Sequence, residues 1–302
     1  MKKLFFIFTF CYFIAASLSA HADDVWFVDT RHKFEINQLD TNSKWTKSTL
    51  DEFIQTYNPN KPLIIVTHGY KMTYNEAKQF GIDFSKLTQN LGEHRFLFWS
   101  WDSEKESCGI KYDAINAGKK ADKEAKYLTD FLKQLKSGGK VSLIGFSYGA
   151  RLISVSLQQL ANEKSISDDS ENKNNKTDGK ETVPTLKIRV VFLAAAVDQD
   201  QFGQNKKYGN LLSITDELLV NVNAADPALL LYPLLDGIGS PKAVGRRGIN
   251  VAGIPKNLAE KIKSINVRPE IGVNHTFVSS FCAFLTFKKE FKKYALFDDN
   301  KK

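Results

Sequence analysis

One serine in this sequence stands in a setting that can turn a hydroxyl into a nucleophile. Residues 145–149 read Gly-Phe-Ser-Tyr-Gly, which matches the pattern G-x-S-x-G centred on Ser147. The mostly apolar run 141–144 has strand character, and residues 151–160 carry apolar side chains at helical spacing. A strand, a sharp turn between small residues and a helix would hold the hydroxyl above the edge of a sheet. We therefore expect Ser147 to be a catalytic nucleophile.

A serine nucleophile needs a base to take its proton and an acid to orient that base. The only histidine after Ser147 is His275, in a predicted loop before the last helix, and we predict that it is the base. Asp226 and Asp198 each follow a predicted strand and are candidates for the acid. We favour Asp226, because Pro227 fixes its turn and its strand comes later; Asp198 is the alternative, and either could simply cap a helix.

Charge that develops on a carbonyl oxygen requires two hydrogen-bond donors aimed at one point. The backbone N–H of Tyr148, directly after the nucleophile, is the first expected donor. The second is the N–H of Tyr70, which follows His68 and Gly69 at the end of an apolar run. We interpret His68 as a structural hydrogen-bonding residue and not as a second base.

The elements that must position these residues alternate between strand and helix patterns. This order predicts one α/β domain over 23–302, with a mostly parallel sheet and helices on both faces. Residues 162–184 are rich in Asn, Ser, Lys, Asp and Glu, which predicts a flexible polar insert. The predicted strands are 24–30, 63–66, 95–101, 141–144, 187–196, 218–222 and 265–267, and the predicted helices are 45–57, 74–91, 117–135, 151–160 and 276–294.

Charge and motif content exclude several classes of function. The formal net charge is +8, from 42 Lys and Arg against 34 Asp and Glu, and the cations are spread along the chain. Even the lysine-rich stretch 119–126 contains acidic residues, as expected of a solvated helix face and not of a nucleic-acid surface. The sequence has no metal-ligand spacing, dinucleotide fingerprint or phosphate-binding loop, so we expect no metal and no cofactor.

The first residues match a secretory signal peptide. Two lysines precede the apolar run 4–18, and Ala20-His21-Ala22 fits the small-x-small cleavage rule. We predict a signal peptide over 1–22, a mature chain from Asp23, and a periplasmic or secreted protein. The alternative is an uncleaved membrane anchor. No later segment is apolar enough to insert stably into a bilayer.

Two cysteines, Cys108 and Cys282, remain after the predicted cleavage. An oxidising compartment would permit a disulfide between them. The elements that carry them need not be neighbours, so we do not predict the bond.

Taken together, these motifs resemble those of the α/β-hydrolase superfamily, over nearly all of 24–294 outside the insert. More narrowly, the chain resembles an uncharacterised branch of exported bacterial members. The shared features are His-Gly at 68–69, Gly-Phe-Ser-Tyr-Gly at 145–149, Ala-Ala-Ala-x-Asp at 194–198, the late His275 and Asn-x-x-Asp-x-Ala-Leu at 223–229. The last motif places the family's acid on Asp226. Trp-Asp-Ser at 101–103 stands where the family tends to have Trp-Pro-Ser, a departure within a loop. The resemblance implies the α/β-hydrolase fold and a catalytic serine, and it names no substrate.

The hypothesis is an exported serine hydrolase that cleaves a small-molecule or lipid ester, or a related acyl bond. One alternative is a catalytically silent binding or envelope protein on the same fold. Another is an interfacial lipase, which the polar insert disfavours. Residues 232–262 could overhang the site with Arg246 and Arg247 at the rim, or could simply pack as a long loop. The side chains that would line an acyl pocket there are Tyr232, Leu234, Leu235, Ile238 and Val244.

Overall fold

The computed structural model describes residues 24–106, 109–171, 183–234 and 241–299. Within these residues the centre of the molecule is a nine-stranded sheet, in the spatial order β3-β2-β1-β5-β4-β6-β7-β8-β9. The two strand pairs at the β3 end are antiparallel and all other neighbours are parallel, which confirms the expected sheet. The strands are β1 Val25–Asp29, β2 Glu35–Leu39, β3 Trp45–Ser48, β4 Leu63–Thr67, β5 Arg95–Ser100, β6 Lys140–Phe146, β7 Lys187–Leu193, β8 Glu217–Val222 and β9 Ile262–Asn266.

Helices cover both faces of this sheet. Neighbouring side chains of a strand point to opposite faces. On β5, the Phe98 ring packs against Phe84 and Phe277, whereas the Trp99 ring packs against Phe131 on the other face. The helices are α1 Leu50–Thr56, α2 Tyr74–Thr88, α3 Ile110–Lys133, α4 Tyr148–Glu171, α5 Leu211–Ile214, α6 Pro227–Leu231, α7 Val244–Arg247, α8 Lys256–Ala259, α9 Arg268–Ile271, α10 Phe277–Thr286 and α11 Lys288–Leu296.

The antiparallel edge differs from the sequence prediction. The predicted helix 45–57 is wrong in its first residues, because Trp45–Ser48 forms β3 and pairs with β2. The Trp45 indole packs on Phe27 and donates to the Lys78 carbonyl, so this residue belongs to the sheet. Thr49 then caps α1 in a reciprocal pair with Glu52, and that capping box marks the true start of the helix.

Helices α3 and α4 have bounds that differ from the prediction. Helix α3 begins at Ile110 and not at residue 117. Helix α4 continues through 162–171, where the polar insert was expected to begin. Glu and Lys favour a helix without burial, and Glu163 pairs with Lys133 of α3 at 3.0 Å. Residues 172–182 of that predicted insert lie outside the described residues.

The predicted closing helix 276–294 is two helices, α10 and α11, because the backbone leaves the helical region at Phe287. The Phe284 and Phe291 rings pack across this break with centroids 5.4 Å apart. Throughout the described part of the chain, no helix combines the length and the apolarity that crossing a membrane requires.

Two buried arginines hold the described ends of the chain at the amino edge of the sheet. Arg95, at the start of β5, forms an ion pair with Asp24, which also binds Lys61 at 3.1 Å. Arg189, near the start of β7, binds Asp299 at 2.8 Å. Both ends therefore lie at the edge opposite the one from which residues 68 and 147 emerge.

Candidate active site

Ser147 forms a tight turn between β6 and α4. Its φ of 53° lies in the left-handed region, which a non-glycine residue adopts at a cost in strain. Its N–H donates to the Leu193 carbonyl at 2.9 Å, and its carbonyl accepts from Ala150 and Ala196. These bonds to α4 and to the end of β7 hold the strained turn in place, with Ser147 itself 6% exposed.

Three glycines permit the close approach of backbone segments around this turn. A Cβ at Gly145 would lie 2.7 Å from the Ala150 backbone, and one at Gly149 would lie 2.6 Å from the His68 carbonyl oxygen. A Cβ at Gly69 would lie 2.8 Å from the Ser147 Cβ. The small residues at 145 and 149 are thus required by contact, and Gly69 brings the loop after β4 directly against the serine.

His275 reaches Ser147 from the loop between α9 and α10. Its Nε2 lies 3.2 Å from Ser147 Oγ, and its Nδ1 lies 2.6 Å from Asp226 Oδ2. The imidazole also packs on the Phe146 ring, with centroids 5.1 Å apart. Thr276 caps α10 by accepting from the Ser279 N–H, which fixes the backbone beside the histidine. The structure therefore brings Ser147, His275 and Asp226 into one hydrogen-bonded chain.

Asp226 is fully buried at the start of α6 and serves two partners at once. One carboxylate oxygen binds His275, and the other accepts from the Leu229 N–H at 3.0 Å as a helix cap. The Asp226 N–H donates to Asn223, in the turn after β8. The sequence permits either a helix cap or a contact with His275 at this position, and the Asp226 side chain does both.

Asn223 has a role at the site that the sequence motifs did not predict. Its side-chain Nδ2 donates to the Gly272 carbonyl at 2.9 Å, and its Oδ1 accepts from the Ala225 N–H. It thereby ties the turn that carries Asp226 to the loop that carries His275. The signal was present in the Asn-x-x-Asp motif at 223–226, where the spacing places both residues in one turn.

Asp198, the alternative acid, lies at a different place. Its Oδ1 accepts from the Tyr232 hydroxyl at 2.9 Å, and its backbone forms a bridge with Ala243. Burial, followed by the nearby Asp198 carboxylate, raises the pKa of Tyr232 well above its usual range. The aspartate in contact with His275 is Asp226.

The loop that follows His68 is held rigid beside Ser147. The Lys71 N–H donates to the Ser103 carbonyl at 2.8 Å, the Met72 N–H donates to Ser103 Oγ, and the Arg31 guanidinium donates to the Met72 carbonyl at 2.9 Å. Within the described part of the chain, the Tyr70 N–H has no acceptor. Tyr148 is the first residue of α4. At the N-terminus of a helix the backbone N–H groups point along the axis away from the helix, and the positive end of the helix dipole lies there.

His68 is completely buried and fully used in local bonds. Its Nε2 accepts from the Trp101 N–H at 3.2 Å, so its Nδ1 carries the proton and donates to the Gly69 carbonyl at 2.8 Å. The ring stacks on the Trp101 indole. Burial lowers the pKa of His68 to about 3, which keeps it neutral. These contacts confirm the structural interpretation of His68.

The described residues of 232–262 include both buried and exposed side chains. Tyr232 and Val244 are buried in the main core, whereas Leu234 is exposed. Arg246 is half-buried and Arg247 is exposed. Leu235 and Ile238 of the predicted acyl pocket lie outside the described residues, as does Cys108 of the possible disulfide, whereas Cys282 is buried in α10. The described residues contain no His, Cys, Asp or Glu cluster that could hold a metal ion.

The architecture and the motifs agree with a known family. Compared with models of protein families, residues 42–239 match the one described as an alpha/beta hydrolase of unknown function (DUF900). The chain belongs to this family of α/β hydrolases. The match includes β3 through α6, with the turn at Ser147 and the carboxylate of Asp226. It confirms the resemblance stated from the sequence, and it supports a hydrolase activity without naming a substrate.

Comparisons with individual proteins add little to this assignment. No curated protein matches the chain. Among solved structures, an acetylxylan esterase at 0.90 Å resolution is 9% identical and covers 77% of this chain and 93% of its own, with a TM-score of 0.31. An iodinated complex of acetylxylan esterase is 11% identical, covers 78% of this chain and 94% of its own, and has the same TM-score. At these TM-scores the likeness carries no argument about substrate.

Proposed function

We propose that this α/β hydrolase cleaves an ester or a related acyl bond through Ser147, His275 and Asp226. The observation that carries the proposal is the unbroken chain from Ser147 Oγ to His275 Nε2 and from His275 Nδ1 to Asp226 Oδ2, at 3.2 and 2.6 Å. An imidazole held between a hydroxyl and a buried carboxylate is the arrangement that activates serine in unrelated hydrolases.

In the first half of the reaction, His275 Nε2 takes the proton of the Ser147 hydroxyl as Oγ attacks the substrate carbonyl. Asp226 keeps the other ring proton on Nδ1 and stabilises the imidazolium that forms. The charge on the carbonyl oxygen is met by the N–H groups of Tyr148 and Tyr70. His275 then gives its proton to the leaving alcohol as the ester bond breaks, and an acyl-Ser147 remains.

In the second half, water attacks the acyl-serine and loses a proton to His275 Nε2. The same two N–H groups stabilise the second tetrahedral species, which collapses as His275 returns the proton to Ser147 Oγ. The acid product leaves and the starting state is restored. The protein residues supply the nucleophile, the base, the orienting carboxylate and both oxyanion donors.

A fluorophosphonate probe tests this function against the silent-binder alternative. We expect the full chain to be labelled once, and Ser147→Ala to lose both the label and the hydrolysis of ester substrates. Ser154→Ala is the matched control, since Ser154 is also buried and its hydroxyl donates to the Ala150 carbonyl within α4. Labelling that persists in Ser147→Ala would refute the assignment. A panel of esters with graded acyl lengths would then define the substrate.

We also propose that the protein is exported and processed after Ala22. The support is the sequence of residues 1–22, which lie outside the described residues. N-terminal sequencing of the protein recovered from its host should give Asp23 as the first residue. Recovery with Met1 in place would contradict processing and favour an uncleaved anchor.

A further inference from the structure

An exposed apolar surface lies beside the candidate site. Leu230, Leu231, Leu234 and Val273 are 54%, 57%, 57% and 64% exposed, and we call these four side chains the apolar rim. Helical spacing places Leu234 on the same side as Leu230 and Leu231, while Leu229 and Tyr232 are buried on the other side. The segment 227–234 thus has one face against the core and one apolar face in solvent.

The rim flanks the Asp226–His275 pair from both sides. Helix α6 starts directly after Asp226, and the Leu230 N–H donates to the Asp226 carbonyl at 3.0 Å. Val273 lies in the loop that ends at His275, and the bond from Asn223 to the Gly272 carbonyl ties that loop to the turn before α6. The exposed leucines and the exposed valine are therefore held at the same end of the molecule as the serine.

Exposed cations adjoin the rim, and the carboxylate of the neighbouring Asp198 accepts from the Tyr232 hydroxyl. The Tyr232 hydroxyl binds Asp198, whose backbone bridges to Ala243, so the segment 241–254 lies beside the turn that carries Leu234. Lys242 and Arg247 are exposed there. The stretches 227–234 and 241–254 contain Lys242, Arg246 and Arg247 and no acidic residue; residues 235–240, outside the described residues, contribute one aspartate, Asp236.

We propose that the apolar rim docks on the surface of an anionic phospholipid bilayer. Side chains that stand out from the surface by more than half their area fit the acyl boundary of a bilayer better than a closed pocket does. The neighbouring cations fit anionic headgroups, which attract lysine and arginine near the membrane surface. Docking in this position brings the end of the molecule that carries Ser147 to the lipid surface. It requires no turnover, so it stands independently of the proposed reaction.

The test places a fluorophore in the rim and measures its contact with lipid. In a Ser147→Ala background, Leu231→Trp is compared with Ile166→Trp, since Ile166 is 58% exposed but lies far along α4 from the serine. Both proteins are mixed with vesicles of brominated phosphatidylglycerol and phosphatidylcholine in equal parts. We expect quenching of the added tryptophan in Leu231→Trp and no added quenching in Ile166→Trp.

Two further variants separate the apolar and the charged contributions. Leu231→Ser with Leu234→Ser should weaken vesicle partitioning ~10-fold or more, because burying one leucine is worth over a factor of ten. Arg247→Gln should weaken it only on anionic vesicles, and less at high salt. Equal quenching at positions 231 and 166, or none at 231, would overturn the proposal. A dimer in solution that Leu231→Ser abolishes would instead assign the rim to a second copy of this chain.

Discussion

Two histidines lie near the same edge of the sheet and do different things. His68 follows β4 and spends both ring nitrogens on the backbone, through bonds to Gly69 and Trp101. His275 precedes α10 and spends both on side chains, through contacts with Asp226 and Ser147. The first is completely buried, whereas the side chain of the second is 19% exposed.

The difference shows that a histidine's role follows from its partners. Burial holds His68 neutral, and its bonds brace the loop that carries Tyr70 against β5 and the segment after it. His275 can accept a proton from one partner while the other compensates the charge, which a backbone carbonyl does less well. His68 therefore holds the loop that carries Tyr70 in place, and His275 is proposed to transfer the proton.

The largest expected effect comes from removing the proposed base. His275→Gln should lower ester turnover by more than ~10⁴-fold, while the free energy of unfolding changes by under ~1 kcal/mol because the ring is partly exposed. His68→Gln should do the reverse and lower stability first. Steady-state kinetics measures the turnover of both variants, and denaturant titration measures their stability. The control is His32→Gln, because His32 is exposed. Full turnover in His275→Gln would show that His275 is not the base.

Changing the acid should cost nearly as much. Asp226→Asn keeps an oxygen for the Leu229 N–H and hence the cap of α6, but it favours the wrong tautomer of His275. By analogy with serine proteases, we expect a loss of about 10⁴-fold in kcat. Asp198→Asn should retain most activity, because its partner is the Tyr232 hydroxyl. A crippled Asp198→Asn beside an active Asp226→Asn would reverse the assignment.

A smaller loss should follow from crowding the serine. In Gly69→Ala the new methyl would lie 2.8 Å from the Ser147 Cβ and 3.0 Å from the Phe146 ring, so the loop or the turn must shift. A shift of about 1 Å in reacting groups costs on the order of 10²-fold in rate. Gly203→Ala, whose Cβ would meet only ordinary contacts, is the control. Equal kcat values in both variants would show that the loop yields freely.

The last prediction concerns the pH dependence of stability and not the rate of turnover. Burial lowers the pKa of His68 from 6.5 to about 3, so the unfolded chain binds the additional proton below pH 6.5. Stability should therefore be complete above that value and fall on acidification, by up to about 1.4 kcal/mol per pH unit from this residue. Denaturant unfolding of His68→Asn should show a flatter slope in that window. His94, whose pKa is also lowered by burial, gives the parallel variant His94→Gln.

Much of the fold could be predicted because buried parallel strands have apolar sequences that are bounded by turn residues. The runs at 63–66, 95–101 and 187–196 agree with strands β4, β5 and β7 to within three residues at each end. The match with the family model confirms the fold that the motifs indicated. The antiparallel edge gave no such signal. Strand β2 is short and half polar, and β3 reads like the start of the helix that follows it.

The residues of the candidate site could be predicted where the sequence contains few residues of the required type. With a single histidine after Ser147, the sequence left little choice of base. The choice between Asp226 and Asp198 depended on which strand end faces His275, a matter of sheet order that no local pattern contains. The roles of Ser103 and Arg31 depend on contacts across long sequence separations, and local spacing could not have revealed them.

The anchoring of Asp24 and Asp299 by buried arginines bears on how the protein can be handled. Both described ends meet the sheet at its amino edge, and β6 alone, with seven residues, separates that edge from Ser147 by about 23 Å. A tag, a fluorescent fusion or a solid support joined at either described end would lie on the side of the molecule opposite Ser147. In single-molecule or surface-based assays, such an attachment leaves the edge of the sheet that carries Ser147 accessible to substrate or vesicles.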